Sequence, residues 1–381
     1  VAFERIYNIH VGEIALKGRN RHIFEQRLID NIGSAAGCRK IEKASGRFIL
    51  HPGKTPAAGI EAGLLKTFGI EWFSESLRLG NEPEDILDAI VKNAGGLKKK
   101  SMKLETTRAY KQYPLTSVEL NRKIGMLLEK KGFNVDLENP EARIYLEILK
   151  DSAIVSFGKT RGLGGLPVGS SGRVLSMLSG GIDSPVASWL AMKRGCSVDF
   201  LHVHAFPTNE KAKKSKIMKM AEKLKEYSPP KIRLFLVPYG SFYEKSFGMK
   251  SRSELVLFRR FIFRLANRIA EKEGHLGFVT GDSIGQVASQ TLENLLATTA
   301  ASDYPVYRPL VGHDKQEIVD LAKKIGTYDI SIQEYRDCCS LVAEKHPATR
   351  AKLPAVKNEE EKIGIGEIVE KTIKGMEVVE L

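Results

Sequence analysis

Cysteine is scarce in this 381-residue chain, which has only Cys38, Cys196, Cys338 and Cys339. Four thiols with these spacings fit neither a disulfide framework nor a zinc site, and they point to a reducing cytoplasm. Long apolar runs are missing too. With no stretch of about 18 apolar residues and no basic-then-apolar leader, neither a membrane span nor a signal peptide is expected. Acidic residues are in deficit, 46 Asp and Glu against 59 Lys and Arg, which leaves a net charge of +13. That excess favours a polyanionic partner, with mere solubility as the alternative. Two common nucleotide signatures, GxxxxGK[ST] and GxGxxG, are absent, as are internal repeats and low-complexity tracts. The length suits two or three domains, each able to bury a core.

What the chain does have is Ser179-Gly180-Gly181-Ile182-Asp183-Ser184-Pro185. The apolar run Val174 to Leu178 before it reads as a strand buried on both faces, and Val186 to Met192 after it as a helix with Pro185 in its tolerant first turn. Phosphates bound here would meet a helix N-terminus. Gly180 and Gly181 allow close backbone approach, the hydroxyls of Ser179 and Ser184 add donors, and Asp183 is a carboxylate aimed at Mg²⁺. The loop points to an enzyme that adenylates its substrate. A Gly-rich strand-to-helix turn without a ligand is the plain alternative.

Residues 3 to 58 read as β-α-β, with a strand from Phe3 to Val11, a helix from Asn20 to Asn31 and a returning strand from Gly46 to His51. The intervening loop carries Lys17, Arg19 and Arg21, which are either a solvated turn or an RNA contact. Residues 59 to 163 form a second α/β module. Lys98, Lys99, Lys100, Lys103, Arg108, Lys111, Arg122 and Lys123 crowd it, with Tyr110 and Tyr113 interleaved. This composition suits backbone contacts plus stacking on unpaired bases, although charge runs are often only solvated faces. Lys159 to Gly172 is a glycine-rich linker that marks a domain boundary. Beyond it, Val174 to Leu178, Ser197 to His204, Lys231 to Pro238 and Leu276 to Thr280 alternate with helical patterns, implying a doubly wound parallel sheet over residues 171 to 381. Ligands of such sheets bind beyond the carboxyl ends of the strands. After Cys339 the chain reads as charged and mostly helical.

Several residues near that edge carry chemistry. Gly281-Asp282 through Gln290-Thr291 is a second Gly-initiated turn that runs into a polar helix. Here Asp282 is a candidate second metal carboxylate and Gln290 a nucleotide hydrogen-bonder, unless the segment is an ordinary cap. His202 and Val203 end another strand, where they either flank an adenine or simply pack. Arg259 lies among apolar neighbours and needs an anion if buried. Arg308 and Lys315 are candidates for phosphate or tRNA contacts, with surface pairing as the alternative. Cys338 and Cys339 follow Arg336, a cation that favours the thiolate, and otherwise read as small buried hydrophobes. An AMP ester of a pyrimidine oxygen leaves readily when sulfur attacks the ring carbon, so a thiol belongs with an adenylating loop.

Ser179 to Ser184 resembles the SGGxDS loop of the PP-loop ATP pyrophosphatases, which split ATP into AMP and pyrophosphate. With Gly281 to Thr291, the Gly12 to Arg21 loop, Tyr113 to Ser117 and Gly164 to Gly169, nearly the whole chain resembles the tRNA 4-thiouridine synthetase (ThiI) family. That resemblance implies a ferredoxin-like segment over 1–58, a THUMP RNA-binding domain over 59–163 and a PP-loop adenylation domain over 171–381. It further implies ATP and Mg²⁺, with 4-thiouridine formed at uridine 8 of tRNA and a possible second role in thiamine thiazole synthesis. Nucleotide contacts carry over to Met177, Leu178, His202, Val203, Arg259, Gly281 and Gln290, and the essential acid to Asp183. Ungapped matching places the sulfur-handling thiol at Cys338, and the apolar residues that follow place it at Cys339. Longer members add a rhodanese domain, and the chain ends before one could fit. The sulfur donor is then expected to be a cysteine desulfurase, a separate carrier or sulfide. A homodimer is also implied. The rival readings are another PP-loop RNA-modifying synthetase and a non-catalytic tRNA-binding protein with a relic loop.

Overall fold

The computed structural model describes residues 2–97, 100–228, 231–246, 253–335, 338–342 and 348–381, with only the backbone of Cys339 and Ser340. Lys98, Lys99, Arg336 and Asp337 therefore lie outside the described residues. The chain divides into two compact units, Val1–Leu166 and Pro167–Leu381. No helix among the described residues is long and apolar enough to cross a membrane.

In the first unit the strands are β1 (Glu4–Val11), β2 (Ile41–Ala44), β3 (Arg47–Leu50), β4 (Ile70–Leu79), β5 (Ser101–Arg108), β6 (Asn134–Val135), β7 (Ala142–Ile148), β8 (Ala153–Ser156) and β9 (Thr160–Arg161). They form one sheet in the order β2-β3-β1-β4-β8-β7-β5-β6, with β9 also on β4. The helices are α1 (Arg21–Ala36), α2 (Ala57–Leu65), α3 (Pro83–Asn93) and α4 (Ser117–Lys130). Leu28, Ile32, Ile60 and Leu64 from α1 and α2 share a core with Tyr7, Ile9 and Phe73. Ile86, Ile90, Leu120 and Ile124 from α3 and α4 share another with Leu77, Leu104 and Ile144. The N-terminus of α4 is fixed locally. The Thr116 hydroxyl accepts from the Glu119 amide at 3.2 Å, and the Glu119 carboxylate accepts from the Thr116 amide at 2.7 Å, a reciprocal cap. The sequence missed β2, whose Ile41 and Ala44 are only half-buried.

A buried polar cluster joins β1, β3 and β7. Asn8 Nδ2 and His10 Nε2 lie 2.8 and 3.0 Å from Glu147 Oε1, while Arg47 pairs with the other carboxylate oxygen. His10 stacks on Trp72 at 3.8 Å between ring centroids. Burial, with Arg47 and Lys159 close by, pushes the His10 imidazole down to about 3. The ring is therefore neutral and donates from Nε2 to Glu147.

The second unit contains β10 (Arg173–Met177), α5 (Asp183–Lys193), β11 (Ser197–His204), α6 (Asn209–Lys213), α7 (Lys216–Lys225), β12 (Arg233–Pro238), α8 (Gly240–Ser246) and α9 (Glu254–Glu273). It continues with β13 (Phe278–Val279), α10 (Leu292–Thr299), β14 (Val306–Tyr307), α11 (Lys315–Lys324), α12 (Tyr328–Ser331), α13 (Cys338–Val342), α14 (Leu353–Lys362), α15 (Ile365–Lys374) and β15 (Glu377–Glu380). The strand order is β14-β13-β10-β11-β12-β15. All pairs are parallel except β12 with β15. The C-terminal segment is mostly helical, as expected, and ends in this strand, whose alternation is short and half-exposed. Val174, Leu175, Phe200 and Leu201 are buried, as expected of strands covered on both faces.

The chain steps from β10 to β11 and β12 in one direction, then returns past β10 to add β13 and β14. The order therefore reverses between β10 and β13, and a crevice opens beyond their carboxyl ends. The opposite ends are joined by Asp199, which accepts from Arg173, Arg233 and His275 at 2.7 to 3.1 Å. Burial pushes its carboxyl up, but His275 and Arg233 outweigh that and hold it far below the usual carboxylate range.

Candidate active site

The loop after β10 is braced by its own hydroxyls. Ser184 Oγ accepts from the Ser179 amide at 2.9 Å and lies 3.0 Å from Ser179 Oγ, and Ser179 Oγ accepts from the Gly181 amide at 3.3 Å. Ser184 is buried, and these bonds stiffen the turn. The helix starts earlier than expected, at Asp183. No side chain caps it at Ile182, so its first amides face the crevice with the positive end of the helix dipole.

Gly281 closes the crevice from the β13 side. A Cβ there would lie 2.7 Å from the Ser184 amide nitrogen and 2.8 Å from the Asp183 carbonyl carbon. Only glycine admits this approach of the two loops. The expected polar helix after it is instead a turn, a short 3-10 segment (Ala288–Gln290) and then α10.

Between these loops lies a cavity of about 430 Å³. Met177, Leu178, Ser179, Asp183 and Ser184 line it from β10 and its loop; His202 and Val203 come from β11, Arg259 from α9, and Gly281, Asp282 and Gln290 from the second loop. Cys338 lines the same cavity. The structure thus brings together the residues expected around a nucleotide. Gln290 is buried, and its Oε1 has no hydrogen-bond partner among the described residues, which suits an acceptor for a donor in the cavity.

Asp183 is held on both sides. Lys315 Nζ lies 2.6 Å from its Oδ1 and Gln286 Nε2 donates to its Oδ2 at 2.8 Å. Lys315 therefore belongs to the carboxylate of the loop, and Gln286 is a site residue that sequence reasoning missed although it stands within the motif. Asp282 is different. Its Oδ1 accepts from Arg259 at 2.5 Å, and its Oδ2 accepts from Thr280 at 2.8 Å and Arg308 at 3.2 Å. Burial pushes the Asp282 carboxyl up, but Arg259, the Thr280 hydroxyl and Arg308 more than offset this and hold it below the usual carboxylate range. Buried and already balanced by two guanidinium groups, where Asp183 is more exposed and paired with one lysine, Asp282 is placed as an anchor for two arginines, in contrast to the second metal carboxylate expected. Arg308 also donates to Thr299 Oγ1 at 2.6 Å, so both its hydrogen-bond partners lie within the second unit.

No group of three or more potential metal ligands occurs among the described residues. The donor set fits Mg²⁺ only as it commonly binds nucleotides, through one or two carboxylates with phosphates and water completing the shell. Asp183 is the carboxylate placed for that.

Cys338 is buried, with Sγ 3.5 Å from the Val203 carbonyl. The Cys339 side chain lies outside the described residues, as does the cation expected at Arg336. Burial raises the thiol of Cys196, and buried Cys38 donates to the His51 carbonyl at 2.9 Å. Both serve packing.

The basic residues of the first unit separate into two groups. Arg19, Lys100, Lys111 and Arg122 are exposed. Lys17 lies over the Phe24 ring at 4.9 Å, and Arg21 pairs with Glu25 at 2.7 Å. Lys103 donates to the Leu137 carbonyl at 3.0 Å, and Arg108 to those of Tyr113 and Leu115 at 3.1 and 3.0 Å. These bonds brace loops, and Lys103 and Arg108 stay partly exposed at the same time.

The family model for thiamine biosynthesis protein (ThiI) matches residues 169–365, that for the ThiI ferredoxin-like domain matches 6–74, and that for the THUMP domain matches 84–157. A probable tRNA sulfurtransferase of Thermoanaerobacter pseudethanolicus is 39% identical over 93% of this chain and 94% of its own. One from Coxiella burnetii is 36% identical over 99% of each. Among solved structures, a 4-thiouridine synthetase in complex with RNA and bound ATP matches with a TM-score of 0.90 at 34% identity, covering 99% of this chain and 100% of that one.

Proposed function

We propose, since this chain belongs to the ThiI family, that it is an ATP-dependent tRNA sulfurtransferase that converts a uridine, at position 8, to 4-thiouridine. One observation carries this reading. The phosphate-binding loop with Asp183 and the thiol of Cys338 line one cavity, as adenylation followed by sulfur attack requires.

The uracil O4 attacks the α-phosphorus of ATP. An O–P bond forms, the bond to pyrophosphate breaks, and the base is left as an AMP ester. Amides at the start of α5 and Arg259 bind the phosphates, and Lys315 beside Asp183 adds positive charge where the leaving group gains negative charge. Bound Mg²⁺ would be held by Asp183 and would neutralise phosphate charge. A sulfur nucleophile then attacks C4, the C4–O bond breaks, and AMP departs with the oxygen. Where a desulfurase or carrier persulfide is the donor, its outer sulfur passes to Cys338 or Cys339 and the resulting persulfide attacks C4. External thiol then cleaves the S–S bond to leave the thiocarbonyl and, by a second thiol, the free cysteine; where sulfide is the donor, HS⁻ attacks C4 directly. The first unit, with its THUMP match, grips the tRNA through Arg19, Lys100, Lys111 and Arg122.

The test is incubation with ATP, Mg²⁺, sulfide and unmodified tRNA, following the near-ultraviolet absorbance of a thiolated base together with pyrophosphate. Tight tRNA binding without pyrophosphate would establish a non-catalytic binder, and pyrophosphate without a thiolated base would indicate another PP-loop synthetase. The family description also favours sulfur transfer toward the thiamine thiazole, which growth of a thiamine-requiring strain would report. A homodimer fits the family, and light scattering measures it.

A further inference from the structure

The residues that follow α12, as far as Tyr335, are fastened to the nucleotide loop by groups that the proposed chemistry leaves unused. Lys216 on α7 is buried, and its Nζ donates to the carbonyls of Ser331 at 2.6 Å and Gln333 at 2.7 Å. A buried ammonium is costly unless its donors are matched, so these bonds fix the path of the chain just before Tyr335. The same ammonium lies 5.5 Å from the Tyr335 ring centroid.

Tyr335 makes the connection. Its ring lies directly on Gly180, where a Cβ would come within 2.6 Å of Tyr335 Cδ1. Its hydroxyl is 2.6 Å from His202 Nε2, and His202 Nδ1 is 2.7 Å from the Leu178 carbonyl. A carbonyl oxygen only accepts, so Nδ1 carries a proton; in the neutral ring Nε2 then accepts from the tyrosine hydroxyl. Leu178 immediately precedes the nucleotide loop and Gly180 lies within it. Three residues after Tyr335 comes Cys338, in the wall of the nucleotide cavity.

From these contacts we infer that Tyr335 is a positioning residue for sulfur transfer. By resting on Gly180 and bonding to His202, it holds the thiol-bearing segment in register with the loop that activates the base. This inference rests on the sulfurtransferase reading. Misplacing a nucleophile lowers the rate of its own step while leaving earlier binding and chemistry in place.

The experiment compares the wild type with Tyr335→Phe and Tyr335→Leu in single turnovers with ATP, Mg²⁺ and unmodified tRNA. Sulfur comes from a cysteine desulfurase with cysteine, or from sulfide if the wild type uses only that. Pyrophosphate release and base thiolation are timed separately. Tyr335→Phe keeps the ring and removes the hydroxyl, so thiolation should slow by about five- to tenfold, the size of one missing hydrogen bond. Pyrophosphate release and the KM for ATP should stay within about twofold. Tyr335→Leu should slow thiolation further. Wild-type thiolation in both variants, or equal slowing of both steps, would overturn the inference. Failure of the wild type to release pyrophosphate would instead refute the sulfurtransferase reading.

Discussion

Lys315 Nζ lies 2.6 Å from Asp183 Oδ1, across 132 residues of sequence. The pair brings the first residue of α11 to the first residue of α5, at the mouth of the crevice between β10 and β13. The lysine thereby joins the glycine-rich loop after β10, and a residue that sequence reading assigned to phosphate or RNA acquires a specific partner.

Asp183→Asn should lower ATP-dependent pyrophosphate release by about a hundredfold or more, the usual scale for losing a charged group aimed at the reacting phosphates. Lys315→Gln should lower it as well. In both variants tRNA affinity and its salt dependence should stay at wild-type values, measured by filter binding over a salt series. A flatter salt slope for Lys315→Gln would return that lysine to the RNA interface.

Removing Asp282 should destabilise the protein through its neighbours. Asp282→Ala leaves Arg259 and Arg308 facing each other without the buried carboxylate between them, a loss of about 3 kcal/mol by the usual cost of breaking such a pair. Urea unfolding measures this directly. Arg259 would also lose its anchor, so the KM for ATP should rise. An unchanged urea midpoint would show that the two arginines find other partners.

The two adjacent thiols are separable. Cys338→Ser and Cys339→Ser should both retain tRNA-dependent pyrophosphate release, because adenylation uses neither sulfur. Base thiolation should fall sharply in one of them. If both thiolate normally with every donor, sulfur reaches the base without a protein thiol.

The exposed cations Lys100, Lys111 and Arg122 should each contribute to the salt dependence of tRNA binding. Replacement by Gln should reduce the log–log slope by up to about 0.9 for each phosphate no longer neutralised, on the duplex-DNA scale. Lys103→Gln and Arg108→Gln should act mainly on stability, since those side chains hold the carbonyls of Leu137, Tyr113 and Leu115. Equal slopes in all five variants would place the RNA elsewhere.

His10 gives a pH signature. Its folded pKa is depressed to about 3, whereas an unfolded histidine titrates near 6.5. Between those values the unfolded chain binds the extra proton, so stability is full above about pH 6.5 and declines as the pH falls toward 3. Histidine NMR should find the His10 ring neutral at pH 5. A ring that titrates near 6.5 would show that the Glu147 carboxylate dominates over burial, Arg47 and Lys159.

Much of this was legible in the sequence because it depends on local pattern. The unbroken apolar runs of β10 and β11, the glycines and acid between Ser179 and Ser184, and the second glycine turn at Gly281 announce a parallel sheet with a crevice at its carboxyl edge. Period and turn chemistry are properties of neighbouring residues, so the order of residues alone determines them. The partner of each polar side chain was a different matter. Asp282 reads as a metal ligand and Arg308 as an RNA contact until folding brings them within 3.2 Å of one another. Arg259 attracted notice among its apolar neighbours, yet the fully buried guanidinium is that of Arg260, matched by Glu360 a hundred residues away. Charge satisfaction in a low-dielectric interior depends on three-dimensional proximity between distant segments, which no local pattern records. The sequence by itself determined that a glycine-rich strand-to-helix loop, a parallel sheet and paired thiols exist in one chain. Only the tertiary structure decided that Lys315 and Gln286 hold the acid, that Lys103 and Arg108 donate to loop carbonyls, and that the Tyr335 ring packs on Gly180.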